Sequence, residues 1–505
     1  MDFPILSVIL FTPLVGAILV LITPKKDENS IRGLSTAISL IPLALALVVW
    51  FGVTDLGGSE MRYVEEVPWI SAFDVFYRLG VDGISAPLIL LTTFLTTLSL
   101  FYSAYTIKVR VKEYYFLFLL LEMGMLGVFL SLDFILFYVF WEIGLVPMFL
   151  LIGVWGGKNR MYAAIKFFLY TLAGSVAMLL AILVVYFNTG TFDILEAIQL
   201  QPLANNWPLA VLVFWGFFLG FAIKVPSFPF HTWLPDAHTE APTAGSVILA
   251  GVLLKLGAYG LIRIALPLFP EQFKYFVVNV PVIPILAVLS MVYGALVCMA
   301  QWDLKRLIAY SSVSHMGFVL LGICAAAASL GVSGKADSGT IALNGAAMQM
   351  FTHGIITGAL FFIVGIIYER AHTRDLKAFG GLGTKLPYYY GITLVTAFAS
   401  LGLPGLAGFW SEFFVFRGAL DIIPDFAIIG ALAIVFTAGY ILWKIVQYVF
   451  LGDFDEEKWG QLIDMEWWEK VTLWPLVAVM VGIGIYPAPL LDLFNSATTA
   501  LIGKF

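Results

Sequence analysis

The stretch GFAIKVPSFPFHTWLPDAHTEAPT, residues 220–243, ends one of the longest apolar runs of the chain, yet Lys224 lies inside that run and four prolines follow it. A lysine that faces lipid inside a membrane costs several kcal/mol. Proline inside a helix removes a backbone hydrogen bond and breaks or kinks the helix. The stretch therefore predicts a broken membrane helix whose lysine faces a polar interior of the protein.

The composition of the whole chain is that of an integral membrane protein. Of 505 residues, 61% are hydrophobic and 12% are charged, and the mean hydropathy is +0.96. Soluble domains are about 45–50% apolar and about 25% charged. Apolar runs of about 20 residues, the length of a helix that spans a bilayer, recur along the sequence. Patterns of alternating polarity are absent from it, which argues against a β-barrel.

Counting the apolar runs predicts an all-α fold with fourteen transmembrane helices. The predicted spans are 3–22, 31–51, 84–106, 113–130, 133–153, 163–187, 208–229, 243–267, 277–300, 305–327, 341–368, 388–418, 425–450 and 471–493. Too little of the chain remains outside them for a nucleotide-binding or flavin-binding domain. The lipid bilayer is the expected environment, and no nucleic-acid partner is expected.

The distribution of Lys and Arg in the loops predicts the orientation of these helices. Loops after odd-numbered helices carry sixteen such residues and the opposite side carries six, and basic residues concentrate on the cytoplasmic side. Both termini are therefore expected on the outer side of a bacterial inner membrane. Residues 1–20 lack a basic region and a convincing cleavage site, so we interpret them as part of a retained first helix.

Helix 12 contains a second interrupted stretch, LGLPGLAGFWSEF, residues 401–413, in which proline and glycines break an apolar run next to Glu412. Five helices separate it from the broken helix 7. Pairs of interrupted helices at matching positions are typical of transporters that are built from repeated bundles. The pattern suggests an internal repeat.

Six ionisable residues lie near the middle of six different predicted helices. Snorkelling to the membrane surface explains charges near helix ends and does not explain these. Together they indicate an interior polar path. The six are Glu142, Lys224, Lys255, His315, His353 and Glu412.

A purely structural role is the alternative for each of these residues, because buried lysines also form ion pairs and histidines often satisfy hydrogen bonds between helices. Glu122 and Lys444 fall within spans as well, but nearer an end or less clearly placed. His231 and His238 are interpreted as packing residues in the loop after helix 7.

Proton transfer is the chemistry that suits these side chains. Burial disfavours the charged form of a lysine, and a neighbouring carboxylate favours it. At about 4 Å and an effective dielectric constant of about 20, Glu142 beside Lys224 would contribute roughly 4 kcal/mol. Separating this pair would drive Lys224 to release its proton, with Lys255 and the histidines as carriers and Glu412 as the exit.

The sequence gives no indication of redox or metal chemistry. It has no GxGxxG motif after a strand, no Walker loop and no CxxC motif. Cys298 and Cys324 lie in predicted spans and are interpreted as packing residues. We expect no catalytic redox site, cofactor or metal in this chain.

Five stretches of the chain closely resemble the antiporter-like membrane subunits of respiratory complex I. They cover helices 5 to 12 and are jointly very specific. The stretches are FWEIGLVPMFLLIGVWG (140–156), KVPSFPFHTWLPDAHTEAPTAGSVILAGVLLKLGAYGLIR (224–263), DLKRLIAYSSVSHMGFVLLGI (303–323), THGIITGALFFIVGIIYERAHTRDL (352–376) and LPGLAGFWSEF (403–413).

The resemblance implies two inverted five-helix repeats, helices 4–8 and 9–13, with helices 7 and 12 discontinuous. It divides the chain into residues 1–112 with an outer loop at 52–82, a first repeat at 113–270, a second repeat at 271–450, and an amphipathic segment with the last helix at 451–505. By motif, Glu142 and Lys224 match the coupling pair of the family, Lys255 its central lysine and Glu412 its distal site. His315 and His353 match its histidine positions on helices 10 and 11.

The function that the resemblance implies is proton translocation, without redox chemistry, in the membrane arm of an NADH:quinone oxidoreductase. Glu412, where L-type, N-type and Mrp subunits usually have lysine, and the chain end soon after helix 14 are similar to the M-type members. Other complex I membrane subunits, especially the L-type and N-type subunits, would be partners. Partner chains would bind FMN, iron–sulfur clusters and quinone.

Two other functions stay open at the level of sequence. An Mrp-type or stand-alone cation/proton antiporter would use the same buried lysines without redox coupling. A structural scaffold between pumping subunits would not need them for transport. The segments 52–82 and 453–470 are interpreted as a folded outer cap and an amphipathic interfacial segment, and both are candidate contact surfaces for other subunits.

Overall fold

The computed structural model describes residues 3–55 and 57–505. The first third of the chain contains α1 (Ile5–Ile22), α2 (Glu28–Asp55), β1 (Arg62–Ile70), β2 (Val75–Val81), α3 (Ser85–Thr106), α4 (Val111–Leu130), α5 (Phe134–Ile143), α6 (Leu145–Trp155) and α7 (Arg160–Thr189). The middle contains α8 (Ile194–Leu200), α9 (Trp207–Lys224), α10 (Trp233–Glu240), α11 (Thr243–Ile248), α12 (Leu254–Gly260), α13 (Leu266–Leu268), α14 (Pro270–Val278), α15 (Val282–Ala300) and α16 (Leu304–Ser329).

The last third of the chain contains α17 (Ala336–Ala371), α18 (Leu382–Lys385), α19 (Pro387–Ser400), α20 (Ala407–Ile422), α21 (Pro424–Gly439), α22 (Glu456–Trp459), α23 (Trp467–Ile485) and α24 (Ala488–Ile502). Two π-helical turns, Leu249–Leu253 and Leu261–Ala265, flank α12, and a longer one, Tyr440–Phe450, extends α21.

Thirteen helices in the described ranges are long and apolar enough to cross a membrane. The remaining predicted span, 388–418, is divided between α19 and α20, each too short to cross alone. The predicted span 208–229 is interrupted differently: α9 is long enough to cross but ends at Lys224, and α10 begins at Trp233 after an irregular segment. The prediction that helices 7 and 12 are discontinuous is therefore confirmed.

Three segments differ from their predicted form. The outer loop 52–82 contains an antiparallel hairpin of β1 and β2, which the sequence pattern missed because neither face of β1 is fully buried. The last predicted span, 471–493, is α23 followed by a separate α24. Segment 453–470 is largely irregular and contains the short helix α22 and the first turn of α23.

The centre of the bundle is formed by three spans. The most apolar window of Ala336–Ala371 is 100% buried, and those of Leu304–Ser329 and Thr243–Leu268 are each 94% buried. The spans at the periphery, such as Glu28–Thr54, are only one third buried. Polar side chains on the three central spans therefore face other helices and not lipid.

The break between α9 and α10 is stabilised by side chains that bind its free backbone groups. Trp233 Nε1 donates to the Ile223 carbonyl at 3.0 Å, and Phe228 N donates to Ser290 Oγ at 2.9 Å. Backbone groups at helix ends have no partner inside the helix, so such contacts are needed when the end is buried. Lys224 is thus the last residue of a helix that ends inside the protein.

The two halves of the bundle share one construction at the start of a membrane-spanning helix. Asp133 caps α5 and Asp303 caps α16, each through hydrogen bonds to backbone N–H groups of the first turn. Each cap also lies in a short antiparallel bridge, Asp133 with Asp193 and Asp303 with Asp375. The two partners precede the first half of a broken helix, α9 in one case and α19 in the other.

Ion pairs join loops that the sequence places on the same side of the membrane. On the predicted inner side, Arg370 binds Glu469 through two contacts of 2.6 and 2.7 Å. On the predicted outer side, Lys335 lies 2.9 Å from Asp421. These contacts agree with the predicted succession of spans.

Removing Glu469 is expected to destabilise the inner end of α17. The Glu469 side chain is 1% exposed and that of Arg370 is 15% exposed, so a Glu469→Ala variant would leave a buried guanidinium without its carboxylate. Such a loss costs about 3–5 kcal/mol. The midpoint of thermal denaturation in detergent measures it. Lys25→Ala breaks an exposed pair with Glu113 and should cost less than about 1 kcal/mol; equal shifts for the two variants would refute the prediction.

Candidate functional site

Lys255 lies in the centre of the bundle and is fully buried. Its Nζ donates to the Ala250 carbonyl and lies 2.7 Å from His353 Nδ1. When Lys255 is an ammonium group it only donates hydrogen bonds, so that Nδ1 of His353 accepts and the ring hydrogen is on Nε2. The tautomer of His353 is therefore linked to the protonation state of Lys255.

A second pair of predicted residues continues from His353. The rings of His353 and His315 lie 5.7 Å apart, and His315 Nδ1 lies 3.4 Å from Glu412 Oε1. His315 Nε2 is 3.2 Å from Ser400 Oγ. Four of the six predicted residues thus form one row from α12 through α17 and α16 to α20.

A cavity of ≈ 10 Å³ lies inside this row. It is lined by His315, His353 and Glu412, together with Gln349 and Ser400. A buried cavity of about 10–15 Å³ is large enough for one water molecule when polar groups surround it. His353 Nε2 is buried and has no hydrogen-bond partner within the described chain. The cavity therefore offers a place where a proton can pass between imidazole and carboxylate.

Polar neighbours of this row were missed by the analysis of the sequence. Gln349, Thr352 and Ser411 form a cluster next to Glu412: Ser411 Oγ donates to Gln349 Oε1, and Thr352 Oγ1 lies 3.1 Å from Ser411 Oγ. Gln349 is four residues before His353, which places both on one face of a helix. That spacing is the signal that could have revealed Gln349.

The structure does not bring Lys224 and Glu142 into contact. Among the described residues, no carboxylate oxygen lies within 4.0 Å of Lys224 Nζ, which is buried without a hydrogen-bond partner. Lys224 Nζ instead lies 5.0 Å from the centre of the Trp141 ring. The expected pairing at about 4 Å is therefore absent from this conformation.

Glu142 lies at the end of α5, beside a shallow groove on the side of the bundle. The groove has a volume of ≈ 440 Å³ and is lined by Leu120, Tyr138, Val139, Ile143, Val146 and Pro147 with Glu142. Glu142 Oε1 has no hydrogen-bond partner among residues 3–55 and 57–505. The groove leaves a carboxylate at an otherwise apolar outer face of the chain.

The helices that carry Lys224 and Lys255 touch through their backbones. A Cβ at Gly257 would lie 2.6 Å from the Phe221 carbonyl oxygen, so only glycine permits this approach of α12 to α9. Gly257 is two residues from Lys255, and Phe221 is three residues from Lys224. The two lysines are therefore carried by helices that are in direct backbone contact.

The other titratable residues within spans have surroundings of their own. Glu122 and Lys444 are fully buried, and their charged atoms have no hydrogen-bond partner in the described part of the chain. Lys444 Nζ is enclosed by Trp302, Trp443 and Tyr448.

His231 and His238 are buried beyond the end of α9. His238 stacks on Phe361 at 4.6 Å, and His231 packs against Phe228 and Tyr293. Neither ring has a hydrogen-bond partner within the ranges that the structure describes. Their environment is compatible with the predicted packing role, and it leaves their ring nitrogens free.

A larger cavity opens on the side that is rich in basic loops. It has a volume of ≈ 760 Å³, and Glu240, Lys305 and Arg374 are among the residues that line it. Lys305 is 6% exposed and its Nζ donates to the Ala241 carbonyl. Polar side chains therefore extend from the mouth of this cavity to the C-terminal end of α10, where Lys305 contacts Ala241.

The described residues contain no group of three or more His, Cys, Asp and Glu that could hold a metal ion. Cys298 and Cys324 are both buried and unbonded to each other. The chemistry that the row from Lys255 to Glu412 supports is acid–base chemistry, since every member can gain and lose a proton.

Comparisons with known proteins agree with this architecture. Residues 131–437 match the family described as NADH:quinone oxidoreductase/Mrp antiporter, transmembrane. NADH-quinone oxidoreductase subunit M of Rhodobacter capsulatus is 41% identical to the chain over 519 residues, which cover 99% of this chain and 97% of that protein. NADH-ubiquinone oxidoreductase chain 4 of Marchantia polymorpha is 38% identical and covers 99% of this chain and 98% of its own length.

Solved structures share the fold over the whole chain. A chain of respiratory complex I from Thermus thermophilus has a TM-score of 0.86 and 30% identity, with 99% of this chain and 100% of that chain covered. A chain of the Mrp complex from Dietzia sp. DQ12-45-1b also has a TM-score of 0.86, with 22% identity and 100% and 98% covered. At that identity the second likeness concerns the fold alone.

Proposed function

The chain belongs to the NADH:quinone oxidoreductase/Mrp antiporter family of integral membrane proteins, and we propose that it is a proton-translocating subunit in the membrane arm of an NADH:quinone oxidoreductase. The observation that carries this proposal is the buried contact of Lys255 with His353, which continues to His315 and Glu412. Charges this deep are costly unless they serve a polar path.

Proton transfer along the row follows from the contacts. An N–H bond of the Lys255 ammonium breaks while His353 Nδ1 gains the proton, and the hydrogen on His353 Nε2 is released on the other side of the ring. His315 or a water in the ≈ 10 Å³ cavity then passes a proton to Glu412. Glu412 lies on α20, whose far end is on the predicted outer side, so it serves as the exit.

Lys224 and Glu142 regulate this row in the proposed mechanism. In this conformation Lys224 Nζ lies against the Trp141 ring and has no ion pair with Glu142. Repulsion between the charges of Lys224 and Lys255, whose helices are in backbone contact at Gly257, would then favour release of a proton towards His353. Movement of Glu142 to Lys224 would restore the paired state, which quinone reduction in neighbouring subunits would control.

We also propose the internal organisation and the orientation that the sequence predicts. The two Asp-capped helices with their antiparallel bridges support inverted repeats at 113–270 and 271–450, flanked by 1–112 and 451–505. The excess of basic residues in alternate loops supports outer termini in a bacterial inner membrane. The cavity beside Lys305 would then be the entrance for protons from the inner side.

The partners that this function requires are other membrane subunits of the same complex. A neighbouring L-type or N-type subunit covering the groove at Glu142 would remove this carboxylate from lipid. FMN, iron–sulfur clusters and quinone would be held by partner chains, so this chain contributes no redox step. Site-directed cross-linking from Val146 in the groove would identify the neighbour.

The alternative is an Mrp-type or stand-alone cation/proton antiporter subunit. Purification in mild detergent separates the two functions: co-isolation with iron–sulfur proteins supports the oxidoreductase, and a particle of antiporter chains alone would refute it. A scaffold without a transport role would predict normal pumping after substitution of any residue in the row.

The contact of Glu412 with His315 is tested by two glycines in the break between α19 and α20. Gly402 and Gly405 both have positive φ, +77° and +92°, so alanine at either costs about 1–2 kcal/mol. A Cβ at Gly402 would lie 2.7 Å from Glu412 Oε2, whereas a Cβ at Gly405 meets nothing within 4 Å.

Gly402→Ala is therefore expected to displace the Glu412 carboxylate from its 3.4 Å contact with His315 Nδ1 and to slow proton translocation at least about tenfold, as when a proton donor and acceptor lose their alignment. Gly405→Ala should retain most of the rate. Acidification of reconstituted vesicles during quinone reduction measures both. Equal rates in the two variants would mean that the position of Glu412 does not matter.

A further inference from the structure

Gln349 has an amide whose oxygen end is fixed by two hydroxyl groups. Ser411 Oγ donates to Gln349 Oε1, and Thr352 Oγ1 lies 3.5 Å from the same oxygen. The hydroxyls come from two helices, α20 and α17, and they also contact each other at 3.1 Å. Since Oε1 lies at these hydroxyls, the amide nitrogen of Gln349 is on the other side of the amide group.

Gln349 also lines the ≈ 10 Å³ cavity between His353 and Glu412. His353 is another residue of its lining, and His353 Nε2, which carries the ring hydrogen when Lys255 is an ammonium group, is buried without a hydrogen-bond partner in the described ranges. Glu412 reaches the same cavity from the opposite helix. A water of the size that the cavity admits would therefore meet two donors, from Gln349 and His353, and one acceptor, Glu412.

We propose that Gln349 is a positioning residue for proton transfer from His353 to Glu412, and this inference rests on the proposed function. Its amide nitrogen donates a hydrogen bond to one lone pair of the oxygen of the cavity water. The second lone pair of that oxygen accepts from His353 Nε2, so that the hydrogens of the water are directed at Glu412. One proton moves when the His353 Nε2–H bond breaks as a water O–H bond forms, and another water O–H bond breaks as the Glu412 carboxyl forms.

An amide suits this place because it does not titrate. A histidine or carboxylate at the same position would hold a proton of its own and compete with Glu412 for the one from His353. The glutamine orients the cavity water without binding a proton itself. The contacts of Oε1 with Ser411 and Thr352 hold the amide in the orientation that places its nitrogen, and not its oxygen, on the side of the water.

A Gln349→Met variant tests the proposal, because methionine has nearly the same length and no donor. In the assembled complex in vesicles, we expect proton translocation about tenfold slower, as for one lost hydrogen bond in a charged network. We also expect a shift of the infrared carboxyl band of Glu412, identified by its loss in Glu412→Gln. The matched control is Thr340→Val, which changes a buried polar residue on the same helix away from the cavity and should alter neither readout.

Normal translocation with an unshifted band in Gln349→Met, while Glu412→Gln is inactive, would overturn this inference and leave the proposed function standing. Normal pumping by Glu412→Gln would overturn the proposed function and this inference with it. If Gln349→Met does not assemble, Ser411→Ala gives the same decision. It frees the amide to rotate, so a slower rate with a shifted band supports the role of Gln349, and an unchanged rate and band refute it.

Discussion

Lys255→Met is expected to stop proton transfer through this chain. Methionine fills a similar volume but cannot hold a proton, so the contact with His353 Nδ1 at 2.7 Å loses the group that supplies the row. Acid–base groups of this kind contribute about 10²–10⁴-fold to a rate, and we expect a loss of at least about a hundredfold. Lys255→Arg should fail as well, because a guanidinium keeps its proton at all relevant pH values.

The measurement for Lys255 is the number of protons that vesicles gain per quinone reduced, together with the rate of quinone reduction. The number of protons per quinone should fall by the contribution of this chain. Where proton translocation and quinone reduction are strictly coupled, the rate of quinone reduction should fall instead. Lys444→Met is the matched control, since Lys444 is also fully buried without a hydrogen-bond partner in the described chain but lies among tryptophans. An active Lys255→Arg variant would show that the charge matters and not the proton.

The members of the row could be predicted because each is an ionisable residue in an apolar run. The order of their contacts could not. Lys255 and His353 are 98 positions apart in the sequence, and only the packing of α17 against α11 and the π-helical turn before α12 decides that they touch. Hydropathy shows that a helix has a polar residue, but several partner helices can accommodate it.

The coupling pair shows a finer limit of the sequence. Trp141 and Glu142 are neighbours on α5, and successive helical residues point about 100° apart. Lys224 faces the ring of Trp141, and exchanging the ring for the carboxylate would take a rotation of α5 by about 100° or a rearrangement of the two side chains. The sequence motif at 140–156 contains both residues. It therefore predicts which residues form the site but not which of them contacts Lys224.

The outer hairpin and the polar cluster at Gln349 were missed for different reasons. β1 has no fully buried face, so it lacks the alternation by which a strand is recognised. Gln349, Thr352 and Ser411 are uncharged and common in membrane helices, where they carry little penalty. Their role follows from their position around one cavity, which depends on two helices at once.

Glu142→Gln and Lys224→Met are each expected to reduce proton translocation at least about a hundredfold, because a charge pair at about 4 Å is worth roughly 4 kcal/mol at an effective dielectric constant of about 20. If the two residues act only through each other, the double variant should be no slower than the slower single variant. Independent roles would instead multiply the two losses.

The controls for the pair are also buried charges of the same types. Glu122→Gln makes the same substitution on α4, at a fully buried carboxyl that lacks a hydrogen-bond partner among the described residues, and Lys444→Met again controls for the lysine. Both should translocate protons at nearly the original rate in the vesicle assay. The amide of Glu142→Gln has no charge with which to draw Lys224 away from Trp141. If this variant also keeps the original rate, the approach of Glu142 to Lys224 has no part in coupling.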